Sequence, residues 1–226
     1  MDHENSQALA APRPPRPGSF YDRFVKRGAD ALIAGGLLIL LLPVLLLVWA
    51  AVVVVLGYPA FYFDRRAGRR GAPIVIGKFR SMSEAVDRDG VPLSDAERLG
   101  GFGRFLRRTS LDELPQLLSV LTGDMSLIGP RPLPLRYVAR YNSRQIRRLD
   151  VRPGLTGLAQ VWGRNGLDWP ARLDLDVRYV EMLSCWYAPL ADVGILAATI
   201  GVVLWQGLTG RGISGTGSVT MKEFEP

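Results

Sequence analysis

The chain has 226 residues, of which 48% are hydrophobic, and this allows one domain with a core plus an apolar segment that associates with a membrane. Lys and Arg number 28 against 21 Asp and Glu, and the net charge of +7 favours anionic partners such as nucleic acid, acidic lipids or phosphorylated substrates. The single cysteine, Cys185, excludes an internal disulfide, and we expect it to be buried. The single histidine, His3, lies in the N-terminal tail, so any catalysis falls to carboxylates or amines.

The N-terminal part divides into a tail and a long apolar segment. Residues 1–19 are rich in proline and are predicted to form a disordered tail. No residue in 31–63 is charged, a run well beyond the roughly 18 apolar residues of a membrane helix. Basic residues flank the run on both sides, and positive charge normally stays cytoplasmic. We therefore predict a re-entrant membrane helix over 20–63 that bends at Pro43, rather than a straight span, followed by a charged turn over Arg65–Gly71.

Three later segments have simple patterns. Pro73–Met82 alternates with period two, which predicts a strand with Lys78 and Arg80 on one face, either to bind phosphate or to be solvated on an edge strand. Gly101–Arg108 has apolar residues at helical spacing, typical of an interfacial helix at an acidic membrane or of an ordinary amphipathic core helix. Gly194–Leu208 is apolar but shorter than a membrane span, which predicts an interfacial or core helix.

Two adjacent carboxylates, Asp112 and Glu113, stand at the start of a predicted helix. Either Asp112 is the N-cap and Pro115 falls in the first turn, or Ser110 is the N-cap and Glu113 completes a capping box. In both registers the carboxylates lie beside free N–H groups that can also receive phosphate oxygens. Plain capping explains one carboxylate and leaves the second without a role.

Arginines near these carboxylates are candidate phosphate ligands. Arg131 lies in the rigid turn Gly129–Pro132, and Arg107 and Arg164 add further forked donors. A single surface arginine is usually just solvated, so only the group as a whole indicates a phosphate site.

Several segments, in one order behind the apolar run, resemble the bacterial sugar transferases, or monotopic phosphoglycosyl transferases. The matching stretches, within about Phe24 to Phe224, are KFRSM at Lys78–Met82, RRTSLDELPQLLSVLTGDMSLIGPRPL at Arg107–Leu133, RPGLTGLAQVWGRN at Arg152–Asn165, LDVRYVEMLS at Leu175–Ser184 and TMKEF at Thr220–Phe224. The resemblance implies an α+β, mostly helical, monotopic membrane protein with an N-terminal re-entrant helix, amphipathic interface helices and a small β-hairpin. Residues 64–226 are then the catalytic domain, on the cytosolic face of the bacterial inner membrane.

The resemblance also implies a reaction. A sugar-1-phosphate moves from a UDP-sugar to undecaprenyl (polyprenyl) phosphate and UMP is released, as the first membrane step of exopolysaccharide, capsule, O-antigen or glycoprotein glycan assembly. The aspartate that matches Asp112 forms a phosphosugar-aspartate intermediate, and the glutamate that matches Glu113 is associated with Mg²⁺. The substrate-binding residues predicted from the resemblance and the charge pattern are Lys78, Arg80, Arg107, Arg131, Arg164 and Asp192.

The chain departs from the family pattern at two places. Leu42 stands before Pro43 where the family often has serine, and the link between Ser184 and Asp192 is lengthened by about one helical turn.

The expected partners are a UDP-sugar, polyprenyl phosphate, membrane lipids and downstream membrane glycosyltransferases, with no nucleic acid because no nucleic-acid motif appears. Three other functions fit part of the sequence: a non-catalytic basic membrane adaptor, a nucleic-acid-binding membrane protein, and a metal-dependent phosphatase or hydrolase. The adaptor explains the charge and the apolar segments but not the adjacent Asp112 and Glu113.

Overall fold

The structure is a computed structural model that describes residues 20–162, 167–209 and 224. The predicted tail 1–19 and Arg164 lie outside these residues. The helices are α1 (Lys26–Leu40), α2 (Leu42–Leu56), α3 (Asp95–Arg98), α4 (Gly101–Arg108), α5 (Leu117–Thr122), α6 (Leu158–Trp162), α7 (Trp169–Met182) and α8 (Ala188–Thr209). Short 3₁₀ helices occupy Leu111–Gln116, Leu135–Arg140 and Gln145–Asp150, and a π-helical turn, Tyr21–Val25, leads into α1. The strands are β1 (Phe61–Ala67), β2 (Pro73–Phe79), β3 (Ser126–Ile128) and β4 (Gly154–Thr156). The predicted mostly helical fold is confirmed.

The two N-terminal helices meet at Leu41, where the helix direction bends by 63°. Pro43 lies in the first turn of α2, where its missing N–H has no intrahelical partner to lose, and its ring prevents α1 from continuing through this point. The bend therefore arises two residues before Pro43. The bent pair is together long and apolar enough to cross a membrane.

The second apolar helix, α8, is longer than the sequence predicted. It begins at Ala188, so Pro189 lies in its first turn and Asp192 lies within the helix rather than before it. Over Ala188–Gln206 it is the single helix of the described residues that is long and apolar enough to cross a membrane alone. Only 17% of this stretch is buried in the protein, so of the two predicted alternatives the core helix is wrong and the interfacial helix stays a prediction.

The strands β1 and β2 form an antiparallel hairpin in which Tyr62 pairs with Lys78. This confirms the predicted small β-hairpin, and the strand expected from Pro73 ends at Phe79. The charged turn predicted over Arg65–Gly71 is wrong at its start, since the first residues of that range pair within β1. The predicted domain boundary between residues 63 and 64 falls inside the same strand. A second sheet pairs β3 and β4 in parallel.

Buried apolar residues join the helices to the hairpin. The largest cluster packs α1, α5, β3, α7 and α8 around Leu117 and Met125. A second cluster joins α2, β2 and α4 through Phe79 and Leu106, each such side chain contributing about 1.5–3 kcal/mol by its burial. Helix α4 thus packs against α2 on one side while Phe105 remains exposed on another. Cys185 is exposed, so the expectation that it is buried is wrong.

Candidate active site

Asp112 and Glu113 lie inside the 3₁₀ helix Leu111–Gln116 and do not cap it. Ser110 precedes this helix in a left-handed conformation, with φ 57°, and makes no side-chain cap. The Glu113 N–H donates instead to the Ser110 carbonyl at 3.2 Å. The register with Asp112 as N-cap is therefore wrong; Ser110 does occupy the N-cap position, as the second register predicts, but the capping box does not form. Since neither carboxylate serves the helix end, both are available for other interactions.

The Glu113 carboxylate is held by two cations from separate elements. Lys78 of β2 donates to its Oε1 at 2.5 Å, and Arg131, in the turn after β3, donates to the same oxygen at 3.0 Å. Burial alone would raise the pKa of Glu113, but the charges of Arg131 and Lys78 outweigh burial and lower the pKa to about 2. Glu113 is therefore ionised throughout the physiological range.

Asp112 differs from its neighbour because it has no hydrogen bond to any residue that the structure describes, although only 6% of it is exposed. Burial and then the negative charge of Glu113 raise the pKa of Asp112 to about 6, against the opposing charges of Lys78, Arg107 and Arg131. At neutral pH this carboxylate is mostly ionised and is not stabilised by donors. Those are the properties of a nucleophile. We call Lys78, Asp112, Glu113 and Arg131 the carboxylate cluster.

A small cleft opens beside the cluster. Its lining includes Arg66, Lys78, Glu113, Gln116, Arg131 and Gly154. Sequence reasoning missed Arg66 and Gln116. Gln116 could have been found, because a 3₁₀ helix has three residues per turn and places Gln116 on the same face as Glu113. Arg107 of α4 donates to the Ser81 hydroxyl at 3.0 Å and lies near enough to lower the pKa of Asp112.

Arg80 is not brought into the carboxylate cluster. Its guanidinium donates to the carbonyls of Leu56 and Gly57, at the C-terminal end of α2, and to Glu84 at 3.2 Å. The last carbonyls of a helix lack intrahelical partners, and Arg80 satisfies two such groups. Lys78 and Arg80 thus have different partners although they lie two residues apart.

Asp192 also lies in a different group of residues. Its carboxylate accepts hydrogen bonds from the hydroxyls of Tyr21 and Tyr179, both at 2.8 Å, and forms an ion pair with Lys26 at 2.9 Å. Lys26 lies 3.8 Å from Asp30, which accepts from the Ser126 hydroxyl at 2.7 Å. We call this group the α1 polar network; its members are Tyr21, Lys26, Asp30, Ser126, Tyr179 and Asp192. It fastens α1 to α7, α8 and β3.

The sequence matches the family model of the bacterial sugar transferases over residues 21–206. The chain belongs to this family. The resemblance found in the sequence motifs is therefore confirmed, and membership of a transferase family supports an enzymatic role.

Three relatives show how similar this sugar transferase is to other members of the family. It is 43% identical over 175 residues to the uncharacterized sugar transferase EpsL of Bacillus subtilis, covering 77% of this chain and 83% of EpsL. It is 39% identical over 199 residues to the undecaprenyl-phosphate galactose phosphotransferase of Salmonella typhimurium, covering 80% of this chain and 41% of that protein. It is 36% identical over 195 residues to the UDP-glucose:undecaprenyl-phosphate glucose-1-phosphate transferase of Escherichia coli, with 81% and 41% covered. The sugar transferase thus spans less than half of these two longer relatives.

Glu113 is the candidate metal ligand of this sugar transferase. Lys78 and Arg131 both bind Oε1 of Glu113, which leaves Oε2 for a cation. No group of three His, Cys, Asp or Glu that could hold a metal occurs within 20–162, 167–209 and 224. Mg²⁺ is usually bound by one or two carboxylates together with substrate phosphates. The residues present fit Mg²⁺ that binds with a diphosphate rather than in a site made by protein alone.

Proposed function

We propose that this sugar transferase moves a sugar-1-phosphate from a UDP-sugar to undecaprenyl (polyprenyl) phosphate and releases UMP. The names of its Salmonella and Escherichia relatives include undecaprenyl phosphate as acceptor, and the latter includes UDP-glucose as donor. The observation that carries the proposal is the state of Asp112: a buried carboxylate that has no hydrogen bond to a described residue and lies next to Glu113 and the cations that bind it.

In the first step, an Asp112 oxygen attacks the β-phosphorus of the UDP-sugar. The bond from this phosphorus to the bridging oxygen breaks, UMP leaves with the electron pair, and a phosphosugar-aspartate intermediate remains. Attack of an anion on an anionic diphosphate needs charge compensation, and Lys78, Arg107 and Arg131 can supply it. Arginines in other phosphoryl transferases contribute about 10³ to 10⁵ in rate.

In the second step, a phosphate oxygen of the polyprenyl phosphate attacks the same phosphorus. The bond between Asp112 and phosphorus breaks, which regenerates the carboxylate and gives a polyprenyl diphosphate sugar. No general base is needed, because the attacking phosphate oxygen is already ionised. This agrees with the absence of histidine from the residues that the structure describes.

Mg²⁺ is the proposed cofactor, with Glu113 as its protein ligand through Oε2. When bound, the ion would neutralise charge on the diphosphate and on the leaving UMP. Lys78 and Arg131 then orient Glu113 through Oε1.

The bent pair of α1 and α2 is proposed to enter the inner membrane and return, with the carboxylate cluster at the cytosolic face. The 63° bend and the basic residues at both ends of the apolar run support this topology. The polyprenyl diphosphate sugar would pass to downstream membrane glycosyltransferases in exopolysaccharide, capsule, O-antigen or glycoprotein glycan assembly. The Rhizobium meliloti relative, 37% identical, is named an exopolysaccharide production protein.

The test is UMP release by the full chain in detergent with Mg²⁺, undecaprenyl phosphate and a panel of UDP-sugars. We expect release with at least one sugar, dependence of continued turnover on the lipid, and a radiolabelled phosphosugar bound to the protein when lipid is omitted. Transfer of the label to water instead of lipid would identify a hydrolase. Folded protein that releases UMP from no donor would contradict the proposal and favour the membrane adaptor.

A further inference from the structure

The side-chain amide of Gln116 lines the cleft beside Glu113, and the reaction proposed above gives it no role. Gln116 is the last residue of the 3₁₀ helix Leu111–Gln116. It lies three residues after Glu113 and on the same face, since such a helix has three residues per turn. Only 3% of Gln116 is exposed, so the amide reaches the cleft from inside the protein rather than from its surface.

The amide nitrogen of Gln116 is an unpaired donor. Its Nε2 is buried and has no hydrogen-bond partner among the described residues. Buried polar groups are almost always paired, and a buried donor without a partner reduces stability. A leucine would fill a similar volume without that cost, so the fold gives no reason for an amide at this position. The group that pairs with Nε2 is therefore an acceptor that enters the cleft.

The charges around the cleft favour an anion as this acceptor. Of the described residues that line the cleft, three are cations, Arg66, Lys78 and Arg131, and one is an anion, Glu113. Oε1 of Glu113 accepts one hydrogen bond from Lys78 and one from Arg131. Further N–H groups remain on both side chains, because an ammonium has three donors and a guanidinium has five. The positive charge of the lining thus exceeds what Glu113 neutralises.

Arg66 is held at the hairpin side of the cleft. Its Nε donates to Oδ2 of Asp64 at 2.6 Å, and its Nη2 lies 2.5 Å from the same oxygen. Asp64 is two residues earlier on the same face of β1 but does not line the cleft. This carboxylate fixes the guanidinium of Arg66 through two nitrogens and leaves Nη1 for a ligand.

The donors around the cleft match a phosphoryl group. Its non-bridging oxygens are ionised acceptors that point in several directions, and the donors come from β1, β2, the 3₁₀ helix and the turn after β3. A metal ion is excluded as the partner of Nε2, because an N–H donor cannot bind a cation. We infer that Gln116 is a substrate-binding residue, whose Nε2 donates to a phosphoryl oxygen held in this cleft beside Arg66. The inference rests on the proposed function, in which the UDP-sugar and the polyprenyl phosphate both carry such a group.

The first test compares the full chain in detergent with its Gln116→Leu variant. UMP and uridine are the probes, and ligand-observed NMR measures their binding. Uridine lacks the phosphate, so the ratio of the two affinities reports the contribution of the phosphate alone. Gln116→Leu should lower this ratio about tenfold or more, because a hydrogen bond to a charged acceptor is lost. Its thermal unfolding temperature should be equal to or above that of the unchanged protein, because Nε2 had no partner.

Two further variants complete this test. Gln116→Glu keeps the shape of the side chain but places an acceptor where the donor stood. It should lower the ratio further, and it carries the test if Gln116→Leu does not fold. The control is Gln145→Leu, because the Gln145 amide oxygen accepts from the Asn142 N–H at 3.1 Å and Gln145 does not line the cleft. This variant should keep the ratio of the unchanged protein.

The same variants identify the source of the phosphoryl group. A lower ratio of UMP to uridine affinity assigns the cleft to the donor. An unchanged ratio, with the KM for undecaprenyl phosphate raised about tenfold at saturating UDP-sugar, assigns it to the lipid carrier. If the ratio and this KM are both unchanged, Nε2 meets only water and the inference is overturned. The same holds if UMP and uridine are weakened equally and this KM is unchanged, because Gln116 then does not contact the phosphate.

Failure of the proposed function would look different. The unchanged protein would then release no UMP from any donor, whereas the ratio of UMP to uridine affinity is measured without turnover.

Discussion

Two buried groups of charge in this protein each pair a lysine with acidic residues, but their hydrogen bonds are satisfied to different degrees. In the α1 polar network, Asp192 accepts from two tyrosine hydroxyls and pairs with Lys26. In the carboxylate cluster, Lys78 and Arg131 converge on one oxygen of Glu113 and leave Asp112 without a hydrogen bond in the described structure. A fully satisfied network holds elements together, whereas an unsatisfied carboxylate remains free to react. The first group therefore supports the fold and the second is suited to chemistry.

The strongest test of this difference in role is to neutralise one aspartate in each group. Asp112→Asn should reduce UMP release on the order of 10³-fold or more, because the nucleophile is lost. Its thermal stability should be unchanged or higher, because a buried charge without a hydrogen bond has been removed. Asp192→Asn should do the reverse, lowering stability while folded protein keeps its turnover. If Asp112→Asn turns over at a rate near that of the unchanged protein, Asp112 is not the nucleophile.

A second substitution tests the α1 polar network through its cation. Lys26→Met leaves the buried Asp192 without its ion-pair partner, and losing one member of a buried pair costs about 3–5 kcal/mol. Urea unfolding in detergent measures this loss. The control is Arg144→Met, which breaks a more exposed pair with Asp174 and should cost about 1 kcal/mol or less. Equal losses in both variants would show that burial does not distinguish the two pairs.

A third substitution tests the metal role proposed for Glu113. Glu113→Gln keeps an oxygen that Lys78 and Arg131 can bind but removes the charge that attracts Mg²⁺. The Mg²⁺ concentration for half-maximal UMP release should rise on the order of tenfold to a hundredfold. A variant with the same Mg²⁺ dependence as the unchanged protein would place the ion on other ligands.

The smallest expected effect concerns pH. With a pKa of about 6, Asp112 loses its nucleophilic form as pH falls through that value, so lipid-free formation of the phosphosugar intermediate should decline below about pH 6. Arg131→Gln should move this decline to higher pH, because the Arg131 charge lowers the pKa of Asp112. Rapid quenching at each pH, with the labelled donor and no lipid, measures the step. If the pH at which intermediate formation falls by half is the same in Arg131→Gln, the Arg131 charge does not lower the pKa of Asp112.

The same raised pKa has a consequence for stability. The folded chain holds the Asp112 proton more tightly than the unfolded chain, whose value is 3.8, so ionisation costs stability as pH rises from 3.8 to about 6. The opposite holds for Glu113, whose lowered pKa stabilises the fold above 4.5 and whose contribution is lost as pH falls towards about 2.

The sequence predicted the parts of this molecule that depend on local pattern. Strand β2 follows from alternation, helix α4 from helical spacing and the bend near Pro43 from the proline, whereas the hairpin as a whole was implied only by the family resemblance. Charge and spacing predict Lys78, Asp112 and Arg131 as site residues, and the structure places them around Glu113. Local pattern failed in part at the helix start, because the helix begins before Asp112 and the left-handed Ser110 makes no side-chain cap.

What could not be predicted depends on contacts between distant segments. Asp192 accepts from Tyr21, which lies 171 residues earlier, and no local spacing encodes that pairing. By strand alternation Arg80 should face the same way as Lys78. It donates instead to the carbonyls of Leu56 and Gly57, because α2 packs against the hairpin.

Lys78 and Arg80, two residues apart at the end of β2, bind different parts of the molecule. One side chain holds Glu113 and the other holds the last carbonyls of the apolar helix α2, while two residues of extended chain span about 7 Å. The end of β2 therefore links the 3₁₀ helix that carries Asp112 and Glu113 to the C-terminal end of α2. In the proposed enzyme, this link would keep the carboxylate cluster close to the end of an apolar helix, on the side from which the phosphate of a lipid carrier would approach.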